Sequence, residues 1–378
     1  MNNMNIKQLI TKNLIHIPGW HTNRKIVVIE SDDWGSIRMP SKEVYKYLLG
    51  KGIRIDKCHY CKYDSLASEE DLTALFEVLT SFKDYHGNHP VITANAVVAN
   101  PDFEKIQKNN FLAYHYQLFT DTLKEYPNHS KSFLLWQEGI YANVFRPQFH
   151  GREHLNISRW LTCLRNPSKE TLMTFDKKMY GISADITKEK RKSYMAAFEF
   201  DTEEEKNAHP MIIHDGINLF KKIFNTNPTS FIAPNYQWHS SLETTLYDNG
   251  IKSIQGLYRH RDVAISKNKN MQKFRYIGQI NKSKLCSLVR NAFFEPSEFV
   301  DQDWVNTCLR DIASAFRWEK PAIICSHRVN FIGFIDTSNR DKNLKLLKTL
   351  LYEIQKKWPD VEFMSSDKLT DLIIDEKG

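Results

Sequence analysis

The stretch that decides the fold is Lys25-Ile-Val-Val-Ile-Glu-Ser-Asp-Asp-Trp-Gly35, which is the first clear structural signal in the sequence. Four consecutive β-branched residues predict a short strand that is buried on both faces, as in a parallel sheet. Asp32 and Asp33 follow where this strand should end. Two carboxylates this close raise each other's pKa unless a cation or a proton relieves them. The stretch therefore predicts either an Asp-rich capping loop or a site that holds a cation.

The composition limits the class of protein. The chain has 378 residues, of which 41% are hydrophobic and 12% aromatic, so we expect a packed globular core. This length suits one large α/β barrel or two domains. The net charge of +7 comes from 52 basic and 45 acidic residues that are dispersed along the chain. No nucleic-acid-binding module is visible, and we expect no nucleic acid partner.

The N-terminal region and the cysteines bear on the cellular compartment. The sequence has no apolar run of the length that a transmembrane helix needs, and residues 1–20 lack the apolar centre and cleavage site of a signal peptide. We therefore expect a cytoplasmic protein, with residues 1–24 as a helical segment that packs on the domain. Cys58-His-Tyr-Cys61 has the spacing of half a zinc site. Because no second such pair exists, a structural zinc there is not the favoured interpretation.

Strand and helix signals alternate along the rest of the chain. Further strands are predicted at 91–98, 144–149, 229–233, 251–254, 285–289, 321–325 and 361–364. Asn156 is a candidate N-cap for a helix after the third strand. Residues 166–226 carry no strand signal and predict a mostly helical insertion. Alternating strands and helices predict an α/β fold with a parallel sheet that is rolled into a barrel.

Chemically active residues follow several of these strands. In a parallel barrel the carboxyl ends of the strands meet at one mouth. His150 and His154 are four residues apart, so on a helical turn both imidazoles lie on one face and can share a metal. The alternative interpretation is that the spacing of the two histidines is coincidental. The Asp-Asp pair at the end of another strand favours the metal site over this alternative. The strand-end residues are Asp32 and Asp33, His150 and His154, Pro234 and Asn235, and His327.

The order of these motifs resembles that of the polysaccharide deacetylase family, which has the NodB homology fold. The stretch Ser31-Asp-Asp-Trp-Gly-Ser-Ile-Arg38 is similar to a bacterial polysaccharide (de)acetylase-like branch. The resemblance spans residues 25–369 and is interrupted by the insertion. It implies a distorted (β/α) barrel of about seven parallel strands, which forms a single deacetylase-like domain over residues 25–378. It also implies a hydrolase that removes acetyl groups from N- or O-acetylated sugars. It also implies one divalent metal, with zinc expected and cobalt, nickel or manganese as alternatives.

The resemblance also implies a role for each matching residue. Asp32 would be the general base, and His327 would protonate the leaving group. Asp33, His150 and His154 would bind the metal. The backbone N–H of Asn235, after Pro234, would stabilise the oxyanion. Trp34, Tyr236 and Trp238 are expected to line a sugar-binding cleft, although core positions fit these aromatic residues equally well.

The sequence departs from the family pattern at a pair of charged residues. The family usually carries an arginine in an Arg-x-Pro-type motif, where this chain has Ile232 or Ala233, and an aspartate that pairs with it after the next strand, where residues 254–258 contain no acid. Arg146, Arg152 and Arg259 are candidates to replace this arginine in tuning Asp32. Two other functions stay open: a glycoside hydrolase, for which Glu153 is the candidate second acid, and a glycan-binding protein without activity.

Overall fold

Nine strands form the central sheet of the computed structural model, which describes residues 13, 15–187, 193–265 and 271–377. They are β1 (Lys25–Trp34), β2 (Ile92–Ala96), β3 (Phe145–Phe149), β4 (Ser230–Phe231), β5 (Ser253–Gly256), β6 (Cys286–Val289), β7 (Ala292–Phe293), β8 (Ala322–His327) and β9 (Val361–Phe363). Two small sheets join Ala99–Pro101 to Tyr116–Leu118, and Gln237–Trp238 and Met271–Phe274 to Arg259–Asp262.

Helices follow most of these strands and cover the outside of the sheet. They are α1 (Lys42–Gly50), α2 (His59–Tyr63), α3 (Glu69–Thr80), α4 (Phe103–Lys108), α5 (Phe119–Glu125), α6 (Ser132–Tyr141), α7 (Ile157–Arg165), α8 (Lys169–Phe175), α9 (Ala184–Thr187), α10 (Glu203–Phe224), α11 (Leu242–Asp248), α12 (Trp304–Arg317), α13 (Thr337–Lys357) and α14 (Ser366–Asp375). None of these described helices combines the length and apolar character needed to cross a membrane.

The strands form a ring that one short segment closes. The order is β6-β5-β4-β3-β2-β1-β8-β7, with every neighbouring pair parallel, and β9 pairs with the first residues of β1. The two ends of this order, β6 and β7, are separated in the chain only by Arg290 and Asn291. The Arg290 N–H donates to the carbonyl of Gly256 in β5, and the Asn291 N–H donates to that of Ile323 in β8. Residues 286–293 therefore pair with β5 through β6 and with β8 through β7, and this closes the ring.

The predicted α/β barrel of parallel strands is confirmed, with a different strand count. The path around the described sheet contains eight strands rather than about seven. The reason is that the chain changes neighbours at Arg290 and Asn291, so one expected strand becomes β6 and β7. In the described part of residues 166–226, three helices and no strand are found. The predicted N-terminal helix falls largely on residues 1–12 and 14, which lie outside the described residues.

The interior of the ring is apolar at one end and polar at the other. Ile26 and Val28 of β1 pack on Leu369 and Ile373 of α14. Farther along, Glu30 and the next residues of β1 are buried among polar side chains. Arg290 is the cation at this end: its Nε lies 2.7 Å from Glu30 Oε2, and its Nη1 and Nη2 lie 2.7 and 2.6 Å from the two Asp32 oxygens. The residue at which the ring closes thus contacts two buried carboxyl groups inside it, although burial still raises the pKa of Glu30.

We predict that Arg290→Met lowers the free energy of unfolding by about 3–5 kcal/mol, because it leaves Glu30 and Asp32 buried without their cation. Urea unfolding followed by tryptophan fluorescence measures this change. Arg54→Met is the matched control, because Arg54 pairs with Asp56 on the exposed surface and we expect almost no change there. Equal stability losses in the two variants would contradict the prediction.

Candidate active site

A bulge at the end of β1 brings two adjacent carboxylates to one cavity. Ser31 pairs with Ala94 and Trp34 pairs with Ala96, so two residues of β1 face one residue of β2. Neighbouring side chains of a regular strand point to opposite faces, and a bulge re-aims one of them. Asp33 takes up the change with a φ of 74°, in the left-handed region. Non-glycine residues in this region are typical of functional sites.

A cavity of about 450 Å³ lies at this end of the ring. Seven residues that the sequence singled out contribute to its wall. The sequence-predicted wall residues are Asp32, Asp33, His150, His154, Asn235, Tyr236 and His327. Gly181, Ile182, Ser183, Ser193 and Met195 of the predicted insertion complete one side. The structure therefore gathers the polar ends of β1, β3, β4 and β8 around one space.

Three of these side chains form a group that could hold a metal ion. Asp33 Oδ1 lies 3.6 Å from His150 Nε2 and 3.2 Å from His154 Nε2. His150 Nδ1 lies 2.9 Å from the carbonyl of Ile232, which assigns the ring proton to Nδ1 and leaves the Nε2 lone pair facing Asp33. His150 Nε2 is buried and has no hydrogen-bond partner among the described residues. A carboxylate and two imidazoles suit a divalent transition metal with open positions.

The charges around Asp33 favour the protonation states in which Asp33 and His154 can bind a metal ion. Arg38 Nη2 donates to Asp33 Oδ2 over 2.9 Å and leaves Oδ1 turned to the imidazoles. Burial opposes ionisation of Asp33, but Arg38 and the two histidines hold the pKa of its carboxyl well below its usual range. Burial lowers the pKa of His154 to about 4, so this imidazole is neutral near neutral pH. Arg38 is itself held beside Asp64, which accepts two hydrogen bonds from Arg328.

Asp32 has a different set of partners. Besides Arg290, the Asn95 side-chain amide donates to Asp32 Oδ1 over 2.8 Å, and the Tyr236 hydroxyl lies 3.4 Å from Oδ2. Burial by itself would raise the pKa of this carboxyl, but Arg290 holds it well below its usual range. Asp32 is therefore an ionised hydrogen-bond acceptor at the cavity wall.

His327 faces Asp32 from the neighbouring strand. The two residues are directly paired in the parallel register of β1 and β8, and His327 Nε2 lies 3.8 Å from Asp32 Oδ2. Its Nδ1–H donates to Glu295 Oε1 over 2.6 Å. Burial alone would lower the pKa of His327, but Glu295 and the two aspartates raise it to about 9. Near neutral pH this imidazole is a protonated acid.

Two tryptophans expected at a cleft lie in the core instead. Trp34 is 1% exposed, packs on Trp136 and Phe145, and donates its indole N–H to Ser31 Oγ. Trp238 is also 1% exposed and stacks on His260 with ring centroids 3.7 Å apart. Pro234 is buried, and it begins the turn that places Asn235 and Tyr236 on the cavity wall. Tyr236 is thus the only one of the three expected cleft aromatics that reaches the cavity.

The residues named as replacements for the missing arginine do not reach Asp32. Arg146 pairs with Asp367, Arg152 pairs with Glu153 and Asp215, and the side chain of Arg259 belongs to an exposed position of its strand. Arg290 is the arginine that contacts Asp32 instead. Glu153, the candidate second acid of a glycoside hydrolase, accepts two hydrogen bonds from Arg152 and lines a different cavity.

Sequence reasoning missed Arg290, Asn95 and Glu295. A signal existed for the first, because Arg290 follows the predicted strand 285–289 as Asp32 and His150 follow theirs. Thr93 and Asn95 also alternate with apolar residues in β2, which is typical of one polar strand face. Glu295 follows β7, which is only two residues long and gives no clear local pattern.

Comparisons with known proteins found only distant structural matches. No family model matches this chain, and no curated protein does. Solved structures that match most of it include a probable polysaccharide deacetylase from Pseudomonas aeruginosa PAO1 (9% identity, TM-score 0.42, covering 92% of this chain and 91% of that one). They also include Puue allantoinase (10%, 0.43, 93% and 91%) and 4-alpha-glucanotransferase from Thermococcus litoralis (8%, 0.43, 92% and 40%). Identities and TM-scores at this level carry no conclusion about fold or activity.

We predict that the chain binds about one equivalent of a divalent transition metal and that His150→Ala/His154→Ala abolishes this binding, because one carboxylate alone is a weak site for such an ion. Metal per chain is measured by mass spectrometry after dialysis against zinc or cobalt. His214→Ala, which removes an imidazole on the outside of α10, is the control and keeps the metal. Equal metal content in the double variant and the wild type would place the ion elsewhere.

Proposed function

We propose that this protein is a metal-dependent hydrolase that removes acetyl groups from an acetylated carbohydrate. The observation that carries the proposal is one cavity that combines the Asp33-His150-His154 group with an ionised Asp32 and a protonated His327. Hydrolysis of an amide or ester needs a base for water and an acid for the leaving group. The order of the sequence motifs supports an acetylated sugar as the substrate.

Asp33, His150 and His154 would hold the divalent ion, and zinc fits their one-oxygen, two-nitrogen donor set. A cation there supplies Lewis-acid polarisation of the acetyl carbonyl and of water. Arg38 keeps Asp33 ionised through Oδ2 and leaves Oδ1 for the cation. The contact of His150 with Ile232 keeps its Nε2 available as a ligand.

The remaining residues would move protons and bind the substrate. Asp32, which Arg290 and Asn95 hold in place, would accept a proton from the attacking water. His327 would donate its Nε2 proton to the leaving amine or alkoxide, since Glu295 occupies Nδ1. The backbone N–H of Asn235, on the cavity wall, is the proposed donor to the developing oxyanion.

Tyr60 and Tyr236 offer aromatic surface for a sugar ring. Both side chains lie on the cavity wall, and the Tyr236 hydroxyl is bound to Arg290, which fixes its ring. The Tyr60 ring makes an edge contact with His327, 5.5 Å between centroids. A sugar that contacts Tyr60 would therefore bring its acetyl group close to the proposed acid.

We expect metal-loaded protein to release acetate from acetylated glucosamine oligomers and Asp32→Asn to lower kcat by about 10²–10⁴-fold, because the amide cannot accept the water proton. Coupled acetate assays measure the rate, and metal content should stay at the wild-type level. Asp301→Asn, at an exposed surface position, is the control. Binding of these sugars without acetate release by any metal-loaded form would refute the deacetylase proposal and favour a glycan-binding protein.

The pH dependence of the rate tests His327 as the acid. Its protonated form is present below its pKa of about 9 and is lost as the pH rises through that value. Glu295→Gln removes a facing negative charge, so we expect the alkaline fall of kcat to move to lower pH by about one unit or more. Rate profiles between pH 6 and pH 10 would show the shift. An unmoved alkaline limb would mean that another group sets it.

A further inference from the structure

The two cysteines of Cys58-His-Tyr-Cys61 lie beside the active-site cavity. Cys58 is half-buried and lines the cavity, whereas Cys61 is 1% exposed. The Cys61 thiol donates to the carbonyl of Gly181 over 3.5 Å, and Gly181 also belongs to the cavity wall. The proposed deacetylation uses neither thiol.

Local geometry places the two cysteines on one turn of backbone. Cys58 precedes α2 in an extended conformation without a side-chain capping hydrogen bond, and Cys61 is the third residue of that helix. Residues three apart at the start of a helix are neighbours on its surface, within the reach of a disulfide after a small rearrangement. The neighbouring Cys61, first through its thiol and then through its backbone N–H, lowers the pKa of Cys58 to about 6 against the opposing effect of burial, and Arg38 adds to it.

We propose that Cys58 and Cys61 form a thiol-modification site on the wall of the active-site cavity, where a low-molecular-weight disulfide converts them into an intramolecular disulfide. The Cys58 thiolate attacks one sulfur of the disulfide RSSR, forms a mixed disulfide and releases one thiolate RS⁻. That thiolate takes the proton of Cys61, whose sulfur then attacks the Cys58 sulfur and releases the second RS⁻, which is protonated by water. Two protein thiols are oxidised, and RSSR is reduced to two RSH.

A zinc ion is the other known use of this cysteine spacing, and the structure disfavours it. The groups of three or more metal-ligating side chains in the described part of the chain are Asp33-His150-His154 and Glu295-Cys325-His327. Neither includes Cys58 or Cys61. A structural zinc takes four such ligands, so the pair is better suited to redox chemistry than to a metal.

Tyr60, one of the two residues between the cysteines, connects them to the proposed acid. Tyr60 makes the edge contact with His327, and the Arg38 guanidinium lies 5.1 Å from the centre of its ring. Closing a disulfide brings the two sulfurs to about 2.05 Å and so rearranges the turn that carries Tyr60. We expect the oxidised form to act more slowly; this consequence, unlike the thiol reaction, rests on the proposed function.

The test incubates the full chain with glutathione disulfide and maps its thiols by mass spectrometry. The wild type should lose the thiols of Cys58 and Cys61 together and regain them with dithiothreitol. Cys61→Ser should stop at a mixed disulfide on Cys58, because the second thiol is missing. Cys163→Ser removes the other half-buried cysteine, on α7, and should react like the wild type. Glutathione on Cys163 with intact thiols at Cys58 and Cys61 would overturn the proposal.

Acetate release by the reduced and oxidised wild type separates this inference from the proposed function. A fall of about tenfold on oxidation, reversed by dithiothreitol and absent from Cys58→Ser, is the expected result. A disulfide that forms without any change in rate would overturn the link through Tyr60. A disulfide in a protein that never releases acetate would support the thiol site and refute the deacetylase.

Discussion

The buried ion pair of Arg290 with Asp32 and Glu30 is the interaction on which the rest of the structure depends. Arg290 lies where the chain changes from pairing with β5 to pairing with β8, so its backbone closes the ring while its side chain fills the interior. Burying two carboxylates is costly unless each is hydrogen-bonded. Glu30 also accepts from Ser366 at the start of α14, and Asp32 from Asn95 of β2. One network thus joins the closing segment, the helix at the far end of the barrel and the proposed base.

A second cation solves the problem that the adjacent aspartates pose. If Asp32 and Asp33 shared one partner, each would raise the pKa of the other. The bulge in β1 separates them instead, so that Asp32 faces Arg290 and Asp33 faces Arg38. Both carboxylates stay ionised for different purposes, one as an acceptor inside the ring and one as a candidate ligand with a free oxygen. The backbone strain at Asp33, whose φ is positive, accompanies the separation of the two aspartates onto different partners.

Sequence reasoning predicted the parts of the site that depend on local pattern. Apolar runs predicted most strands, and parallel strands bring their carboxyl ends together, so Asp33 and His150 could be expected to meet. Arg290 could not be paired with Asp32 in the same way, because that contact depends on the order of strands around the ring. Trp34 shows a second limit. The bulge interrupts the alternation of side chains between the two faces of β1 and turns Trp34 toward Trp136. The sequence contains no sign of where a bulge falls.

The opposite pKa shifts of Asp32 and His327 follow mainly from their separate partners, and the charge of each adds to the shift of the other. The two side chains are only 3.8 Å apart, yet Asp32 is dominated by Arg290, and His327 by Glu295. Environments that push two neighbouring titratable groups in opposite directions assign one as base and the other as acid. Arg290 lies in the segment that closes the ring, and Glu295 follows that segment two residues after β7. The same few residues therefore fix both the architecture and the protonation states of Asp32 and His327. The proposed chemistry therefore depends on the closing segment as much as on the strand ends that carry the reacting groups.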